Sequence, residues 1–270
     1  MKKTISCIIA RTVSKRLPLK VLRDIIPGQT MLDYLIKNLK SFQPVENIYI
    51  CTSVERVDDI LEDVAVRNGI KIYRGSADNV LERMISVGKV ENADVLIRIT
   101  GDNPFSSFEY LEKQIGLMEN EGLDYVRLSH VPLGASAEVI TRMALERCSS
   151  IMNPLQSEYM MLYLFEPRNF KCGVMEVFKN DYSDFSLTVD TDDDFKKAKQ
   201  IAQHLVKGRT TFQLDEIISF IQEHEPELPG IKISKDGKIK LPDDKTMTYE
   251  EFTNDMHRRI DQSVKVCIYE

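Results

Sequence analysis

Short apolar segments alternate with helix-length amphipathic segments through roughly the first third of the chain. Residues 5–10, 47–53, 70–74 and 93–99 are apolar runs too short for a helix, and each is bounded by polar or turn-forming residues. Such runs indicate buried strands, while apolar residues at helical spacing lie between them. Strands that alternate with helices of about a dozen residues need crossover connections, which favour parallel pairing. We therefore expect an α/β, Rossmann-like layered fold with a mainly parallel sheet.

The first predicted strand ends in a cationic loop. Arg11, Ser14, Lys15, Arg16 and Lys20 follow it within about ten residues. In open parallel sheets, ligands bind at the edge where the strands finish, and clustered cations suit a polyanion such as a nucleoside triphosphate. Runs of charge are also common on solvated surfaces, so the pattern by itself leaves an ordinary basic loop as the alternative.

Two later segments place carboxylates where predicted core strands end. Asp102 follows the strand at 93–99, and Asp190 follows a strand predicted in LTVDTDDDF. The alternative for Asp102 is a turn residue that caps a helix predicted over 106–117. The three acidic residues at 192–194 are interpreted as a helix start, where negative charge meets the positive end of the helix dipole.

The composition narrows the possible chemistry. The chain has 270 residues and a net charge of -6, which argues against bulk nucleic-acid binding because that requires a basic surface. The five cysteines are scattered without a C-x-x-C pair and the four histidines without a zinc spacing, so any metal site should use carboxylates. No run is long enough for a membrane span, and the first residues do not form a secretory signal. We expect a cytoplasmic protein.

Four segments together resemble a known family. ARTVSKRLPLKVL is similar to the A-R-x-x-S-x-R-L-P-x-K signature of cytidylyltransferases that activate acidic sugars, and IYRGSADNVLERM, DVLIRITGDNPF and LTVDTDDDF follow in family order. The resemblance is strongest to the family of the spore coat polysaccharide biosynthesis protein F, which is related to acylneuraminate and 3-deoxy-manno-octulosonate cytidylyltransferases. It implies the layered fold of the nucleotide-diphospho-sugar transferases.

The resemblance also implies site residues. The catalytic set is Arg11, Arg16, Lys20 and Asp102, and a magnesium ion is expected on Asp102 and Asp190. The nucleotide-binding set is Ala10, Arg11, Ser14, Lys20, Thr52, Ser53, Arg74, Gly75, Ser76, Arg98 and Thr100. The acceptor-binding set is Asn103, Glu138 and Glu158.

The chain departs from the family pattern at several positions. Lys15 stands where the family usually has Thr, and Leu19 stands where it usually has Gly. On the acceptor side, Leu133 replaces the Asp of an Asp-Gly pair, and Met160 follows Glu158-Tyr159 where Thr-Pro is expected. We therefore expect an acceptor that differs from that of a typical member.

The chain is divided into two predicted parts. Residues 1–228 form the nucleotidylyltransferase domain, and residues 229–270 form a small C-terminal α+β appendage with a packing or oligomer role. In the appendage, Asp236-Gly237 predicts a hairpin turn, and Thr248 with Glu251 predicts a capping box. We expect a homodimer.

The function that these observations favour is a magnesium-dependent transfer of CMP from CTP. The acceptor would be an acidic sugar or a phosphate- or phosphonate-bearing compound, pyrophosphate would be released, and the product would serve surface polysaccharide synthesis such as a spore coat. Two alternatives stay open at this point. One is a nucleotide-sugar glycosyltransferase of the same layered fold, and the other is a non-catalytic nucleotide-binding module.

Overall fold

The computed structural model describes residues 2–14, 16–205 and 211–269, so Lys15 of the cationic loop lies outside the described residues. The strands are β1 (Thr4–Ile9), β2 (Asp24–Ile26), β3 (Gln29–Thr30), β4 (Ile48–Ser53), β5 (Lys71–Gly75), β6 (Val95–Thr100), β7 (Tyr125–Ser129), β8 (Glu138–Thr141), β9 (Cys172–Glu176), β10 (Lys238–Lys240), β11 (Thr246–Thr248) and β12 (Val264–Cys267). The helices are α1 (Met31–Leu39), α2 (Ile60–Asn68), α3 (Val80–Val90), α4 (Leu111–Glu121), α5 (Arg142–Ile151), α6 (Met160–Leu164), α7 (Asp192–Leu205), α8 (Leu214–His224) and α9 (Tyr249–Asp261).

One sheet of eight strands organises the molecule. Its spatial order is β12-β9-β7-β8-β6-β1-β4-β5, and β8 pairs antiparallel with both of its neighbours while the other pairs are parallel. The expected α/β fold with a mainly parallel sheet is confirmed. All strands except β8 finish at the same end of the sheet, which we call the C-terminal edge. The opposite end is the N-terminal edge.

Apolar cores lie on both faces of the sheet because successive side chains of a strand point to opposite sides. In β1, Ile8 joins a core with α1, α2, α4, α7 and α8, whereas Ile5 and Cys7 join a core with α3, α5 and α6. Burial on both faces explains why the strands are continuous apolar runs in the sequence. Within the described residues, no helix is both long and apolar enough to cross a membrane.

Two predicted elements are wrong. The segment 187–190 is extended but belongs to no strand, because its backbone bonds go to loops: the amide of Leu187 donates to the carbonyl of Leu133. The hairpin around Asp236-Gly237 does not form either. The residues before the turn, 231–233, form backbone hydrogen bonds with the segment 184–186. The strand after the turn, β10, pairs with β11, which follows it in the chain.

Besides residues 231–233, the C-terminal segment contacts the rest of the molecule through β12 and α9. Strand β12 pairs in parallel with β9 and is the outermost strand on that side of the main sheet. Helix α9 begins at the predicted capping box of Thr248 and Glu251, and its Arg259 donates to the carbonyls of Leu162 and Phe165 at 2.7 and 2.6 Å. The arginine thereby satisfies two carbonyls at the end of α6. Whether residues 229–270 fold as a unit of their own stays a prediction.

Candidate functional site

A buried lysine joins two aspartates at the C-terminal edge. Lys20 is 9% exposed, and its Nζ donates to Asp102 Oδ2 at 2.8 Å, to Asp190 Oδ1 at 2.9 Å and to the carbonyl of Val189 at 2.9 Å. Arg16 adds a second cation, with a guanidinium nitrogen 3.0 Å from Asp190 Oδ1. The cationic loop and the two predicted metal ligands therefore form one cluster.

Backbone contacts explain why these residues meet. Gly101 follows β6, and its amide donates to the carbonyl of Ile9 at the end of β1. A Cβ on Gly101 would lie 3.0 Å from the Cβ of Ala10, so a side chain there would push the two strand ends apart. The amide of Val189 then donates to the carbonyl of Asp102 at 3.0 Å, which brings Asp190 beside it.

The charges of this cluster stabilise one another. Burial by itself lowers the pKa of Lys20, but the carboxylates of Asp102 and Asp190 outweigh it and raise that pKa above its ordinary value. Lys20 is therefore an ammonium ion at neutral pH. It neutralises part of the negative charge that two neighbouring carboxylates would otherwise carry.

The two carboxylates fit a magnesium ion. The side chains of Asp102 and Asp190 are 35% and 33% exposed, so water and a ligand can reach them. Magnesium binds one or two protein carboxylates and completes its octahedron with water and substrate phosphates. The described residues contain no group of three or more His, Cys, Asp or Glu side chains that could hold a metal. Among those residues, no site with more ligands competes with this pair for a metal ion.

The alternative role of Asp102 as a helix cap does not hold. Helix α4 begins at Leu111 rather than at the predicted residue 106, and Tyr110 occupies its cap position. Asp102 instead lies in the turn directly after β6, with its carboxylate on Lys20.

Asp194 orders the segment that carries Asp190. Its carboxylate accepts the amides of Asp190 and Thr191 at 3.2 and 3.0 Å, and its own amide donates to the Thr191 hydroxyl. Lys197 is fully buried and donates to Asp194 Oδ1 at 3.0 Å. The expected capping role holds for Asp194, and Lys197 adds a support that the sequence analysis missed.

A second group of contacts holds the start of the cationic loop. Asp58 is fully buried and accepts from the amide and hydroxyl of Thr12, both at 2.7 Å, and from the hydroxyl of Ser53. Burial by itself raises the pKa of Asp58, but these hydrogen bonds lower it below its ordinary value. Arg11 lies beside this group, bonded to Glu55 at 3.1 Å and to the carbonyl of Ala77 at 3.1 Å. No motif marks Asp58 in the sequence.

The remaining predicted nucleotide-binding residues lie at the same edge, and all but the buried Thr52 hydroxyl take part in contacts there. Arg74 donates to the carbonyl of Ser53 and pairs with Asp59 and Glu62 on the α2 side. The others take part in backbone contacts, short turns or buried positions at the strand ends: Ala10, Ser14, Thr52, Gly75, Ser76 and Thr100. Their roles in nucleotide binding stay predictions.

The predicted acceptor residues are not gathered in one place by direct contacts. Glu138 accepts from Arg98 at 2.7 Å and from the buried hydroxyl of Tyr125 at 2.9 Å, so both of its oxygens are engaged. Asn103 donates to Thr100 next to Asp102, and Glu158 is exposed in the turn that precedes α6. Arg98 and Glu138 therefore form a buried ion pair across β6 and β8.

Leu19 shows what a family glycine does in this loop. Its φ is 55°, in the left-handed region where residues other than Gly are strained. The family's usual glycine would adopt this conformation without strain. In this chain the strained conformation is adopted by a leucine, whose side chain is about half exposed.

Comparison with known proteins gives one consistent result. Residues 5–224 match the family model described as Cytidylyltransferase. The spore coat polysaccharide biosynthesis protein SpsF of Bacillus subtilis is 32% identical over 202 residues, which is 72% of this chain and 84% of SpsF. An uncharacterized protein of Methanocaldococcus jannaschii is 32% identical over 234 residues, 85% of this chain and 94% of its own. A cytidylyltransferase structure from Leptospira borgpetersenii superposes with a TM-score of 0.77 at 27% identity, covering 87% of this chain and 100% of that one.

Proposed function

The chain belongs to the cytidylyltransferase family, and on that premise we propose that it transfers CMP from CTP to a small anionic acceptor. The observation that carries the proposal is the Lys20 ammonium bonded to both Asp102 and Asp190 at the C-terminal edge. It unites the cationic loop, which suits a triphosphate, with a carboxylate pair that suits magnesium. A solvated basic loop would not bury its lysine between two carboxylates at the ends of core segments.

The reaction needs little covalent help from the protein. An anionic oxygen of the acceptor forms a bond to the α-phosphorus, the bond from that phosphorus to the bridging oxygen breaks, and pyrophosphate leaves with the electron pair. Positioning and neutralisation of charge supply most of the acceleration in such transfers. A magnesium ion on Asp102 and Asp190 would supply positive charge to the phosphate oxygens.

The basic residues have different tasks in this proposal. Arg16 is exposed and can turn to the phosphates at little cost. Lys20 stays bonded to the two carboxylates that would hold the metal, where its ammonium would neutralise phosphate charge. Arg11 exchanges its bonds to Glu55 and Ala77 for the triphosphate.

The acceptor is proposed to be an acidic sugar or a phosphate- or phosphonate-bearing compound for surface polysaccharide synthesis. The name of the Bacillus subtilis relative supports that setting. Asn103 lies next to Asp102 in the turn after β6, so it is the predicted acceptor residue that adjoins a proposed magnesium ligand. A cytoplasmic homodimer remains part of the proposal, and light scattering that gives the 31.1 kDa mass of one chain would contradict the dimer.

A pyrophosphate-release assay tests the function. Each of four nucleoside triphosphates is mixed with magnesium and a panel of acidic sugars, sugar phosphates and phosphonates. We expect release with CTP that depends on an acceptor and stops when magnesium is chelated. Transfer of sugar from a nucleotide diphosphate sugar without pyrophosphate release would establish the glycosyltransferase alternative. CTP binding without release across the panel would establish the non-catalytic alternative.

A further inference from the structure

A buried arginine near the proposed nucleotide site has no partner in the described part of the chain. Arg83 of α3 is 1% exposed, and its Nε and Nη1 are buried without a hydrogen-bond acceptor or an ion pair among the described residues. Buried guanidinium groups are normally paired, because an uncompensated buried charge is strongly destabilising. An acceptor for these donors is therefore missing from the described residues.

The path of the side chain places it at the C-terminal edge. A Cβ on Gly75, the last residue of β5, would lie only 2.9 Å from the Cγ of Arg83. The ionisable groups that act on the guanidinium are Cys51 at the end of β4, Arg11, Asp58 and Glu82. The arginine therefore packs against the end of β5, close enough to Arg11 of the cationic loop for their charges to interact.

The two acids near Arg83 already have other partners. Glu82 accepts from the Tyr73 hydroxyl at 3.0 Å and from the amide of Ser76 at 3.3 Å. Asp58 accepts from Thr12 and Ser53. Burial lowers the pKa of Arg83, yet a guanidinium retains its proton in proteins. The group is a charged donor that is held ready for an acceptor.

Its position along the edge distinguishes it from the phosphate-binding residues. Lys20, Asp102 and Asp190 meet beyond the end of β6, and β1 and β4 separate β6 from β5. Strands lie about 4.8 Å apart, so the ends of β4 and β5 are about 10 to 14 Å from the end of β6. A nucleoside triphosphate that lies along this edge, with its phosphates on the metal side, brings its base over β4 and β5.

We propose that Arg83 binds the base of the nucleotide and selects cytosine. Cytosine presents N3 and O2 as adjacent acceptors, which two N–H groups of one guanidinium can contact together. Uracil has an N–H donor at N3 and cannot take that pair of bonds. Arg11 leaves Glu55 and Ala77 for the phosphates when the nucleotide enters, and the base then reaches Arg83. This inference rests on the proposed use of CTP.

Calorimetry on the full chain tests the inference, with CTP, UTP and CMP as probes. A bidentate contact from arginine to a base discriminates by about 1–3 kcal/mol, so Arg83→Met should bind CTP and CMP roughly 10- to 100-fold more weakly. Its affinity for UTP should change less than about three-fold, so the preference for CTP over UTP is lost. Arg142→Met is the matched control, because Arg142 contacts Ala93 and Glu146 at the N-terminal edge.

Stability separates a ligand contact from a structural one. Because Arg83 has no partner in the described residues, replacing it with methionine should leave the melting temperature of the free protein unchanged or raise it. If Arg83→Met does not fold, Arg83→Lys provides the same test, since an ammonium cannot form the bidentate pair. Gly75→Ala should also weaken CTP binding, because its Cβ displaces Arg83.

The outcomes are distinguishable. If Arg83→Met lost the same affinity for CTP and for UTP and kept its affinity for CMP, Arg83 would be assigned to the phosphates and the base contact would be overturned. An unchanged CTP preference in Arg83→Met and Arg83→Lys would overturn the inference and leave the proposed function intact. A wild-type protein that binds neither CTP nor UTP would overturn both.

Discussion

The two edges of the central sheet differ in how completely their charged side chains are paired. At the N-terminal edge, the carboxylate of Glu91 accepts from Lys3 at 2.8 Å, from Lys71 at 2.5 Å and from the hydroxyl of Tyr49 at 2.5 Å. These three hydrogen bonds lower the pKa of Glu91 to about 2. At the C-terminal edge, one ammonium serves two carboxylates and the guanidinium of Arg83 has no partner in the described residues.

The difference separates stability from function. A charge that is surrounded by complementary groups stabilises the fold and has no capacity left for a ligand. Unbalanced charges cost stability, and they are retained where a ligand completes them. At the C-terminal edge, Asp102 and Asp190 share Lys20, the exposed Arg16 gives Asp190 a second cation, and Arg83 has no acceptor among the described residues. A nucleotide would supply that acceptor, and magnesium would replace the charge that Arg16 gives up when it turns to the phosphates.

The largest expected effect is on turnover in Asp102→Asn and Asp190→Asn. Each change removes one of two carboxylates proposed to hold magnesium, and loss of a single group that stabilises the transition state typically lowers kcat about 10²- to 10³-fold. The melting temperature should move by no more than a few degrees, since both side chains are partly exposed. Pyrophosphate release and thermal unfolding measure the two quantities. Normal magnesium-dependent turnover in either variant would remove that residue from the site.

An intermediate effect is expected for Lys20→Ala. The change removes a charge-assisted contact worth about 1.5 to 3 kcal/mol, so CTP should bind roughly ten-fold or more weakly. It also leaves Asp102 and Asp190 without their ammonium, so magnesium should raise the melting temperature of the variant more than that of the wild type. Calorimetry and thermal unfolding with and without magnesium measure both effects.

Lys71→Ala is the matched control for Lys20→Ala, because it removes one lysine from a carboxylate at the other edge. It should leave CTP affinity and the magnesium effect unchanged. If both lysine variants respond alike, the two edges do not differ in the way proposed here.

The smallest effect is expected for Glu91→Gln. Exposed ion pairs contribute up to about 1 kcal/mol each, which corresponds to a melting temperature about 2–4 °C lower for a chain of this size. CTP affinity should not change. Because the pKa of Glu91 falls from 4.5 to about 2 on folding, its contribution is complete above about pH 4.5 and is lost as the pH falls towards 2. The difference in melting temperature between variant and wild type should therefore shrink below about pH 4.5.

The sequence analysis predicted which residues lie close together at the C-terminal edge better than it predicted the elements that carry them. The residues Lys20, Asp102 and Asp190 were predicted to share a site, and the structure brings them within direct contact. Asp190 was expected there because a core strand was thought to end at it. It arrives instead in a loop segment fixed by Asp102 and Asp194. Asp190 lies at the expected edge for a different structural reason, and its role as a metal ligand stays a prediction.

Asp58 and Arg83 were missed for a common reason. Asp58 lies outside the four family segments, and Arg83 lies within IYRGSADNVLERM but was given no role there. Their significance depends on burial and on the partners that surround them. Asp58 is saturated by Thr12 and Ser53, whereas Arg83 is left with unpaired donors.

The sequence by itself determined the alternation of strands and helices, the parallel character of the sheet and the cationic loop after β1. These features depend on local periodicity and on the order of segments, which a linear chain records directly. Only the tertiary structure decided which charges are paired. Lys20 meets Asp102 across 82 positions and Asp190 across 170 positions, and both contacts depend on the packing of strand ends and loops. Electrostatic energy depends on distance and burial in space, and neither quantity is written in the local pattern of residues.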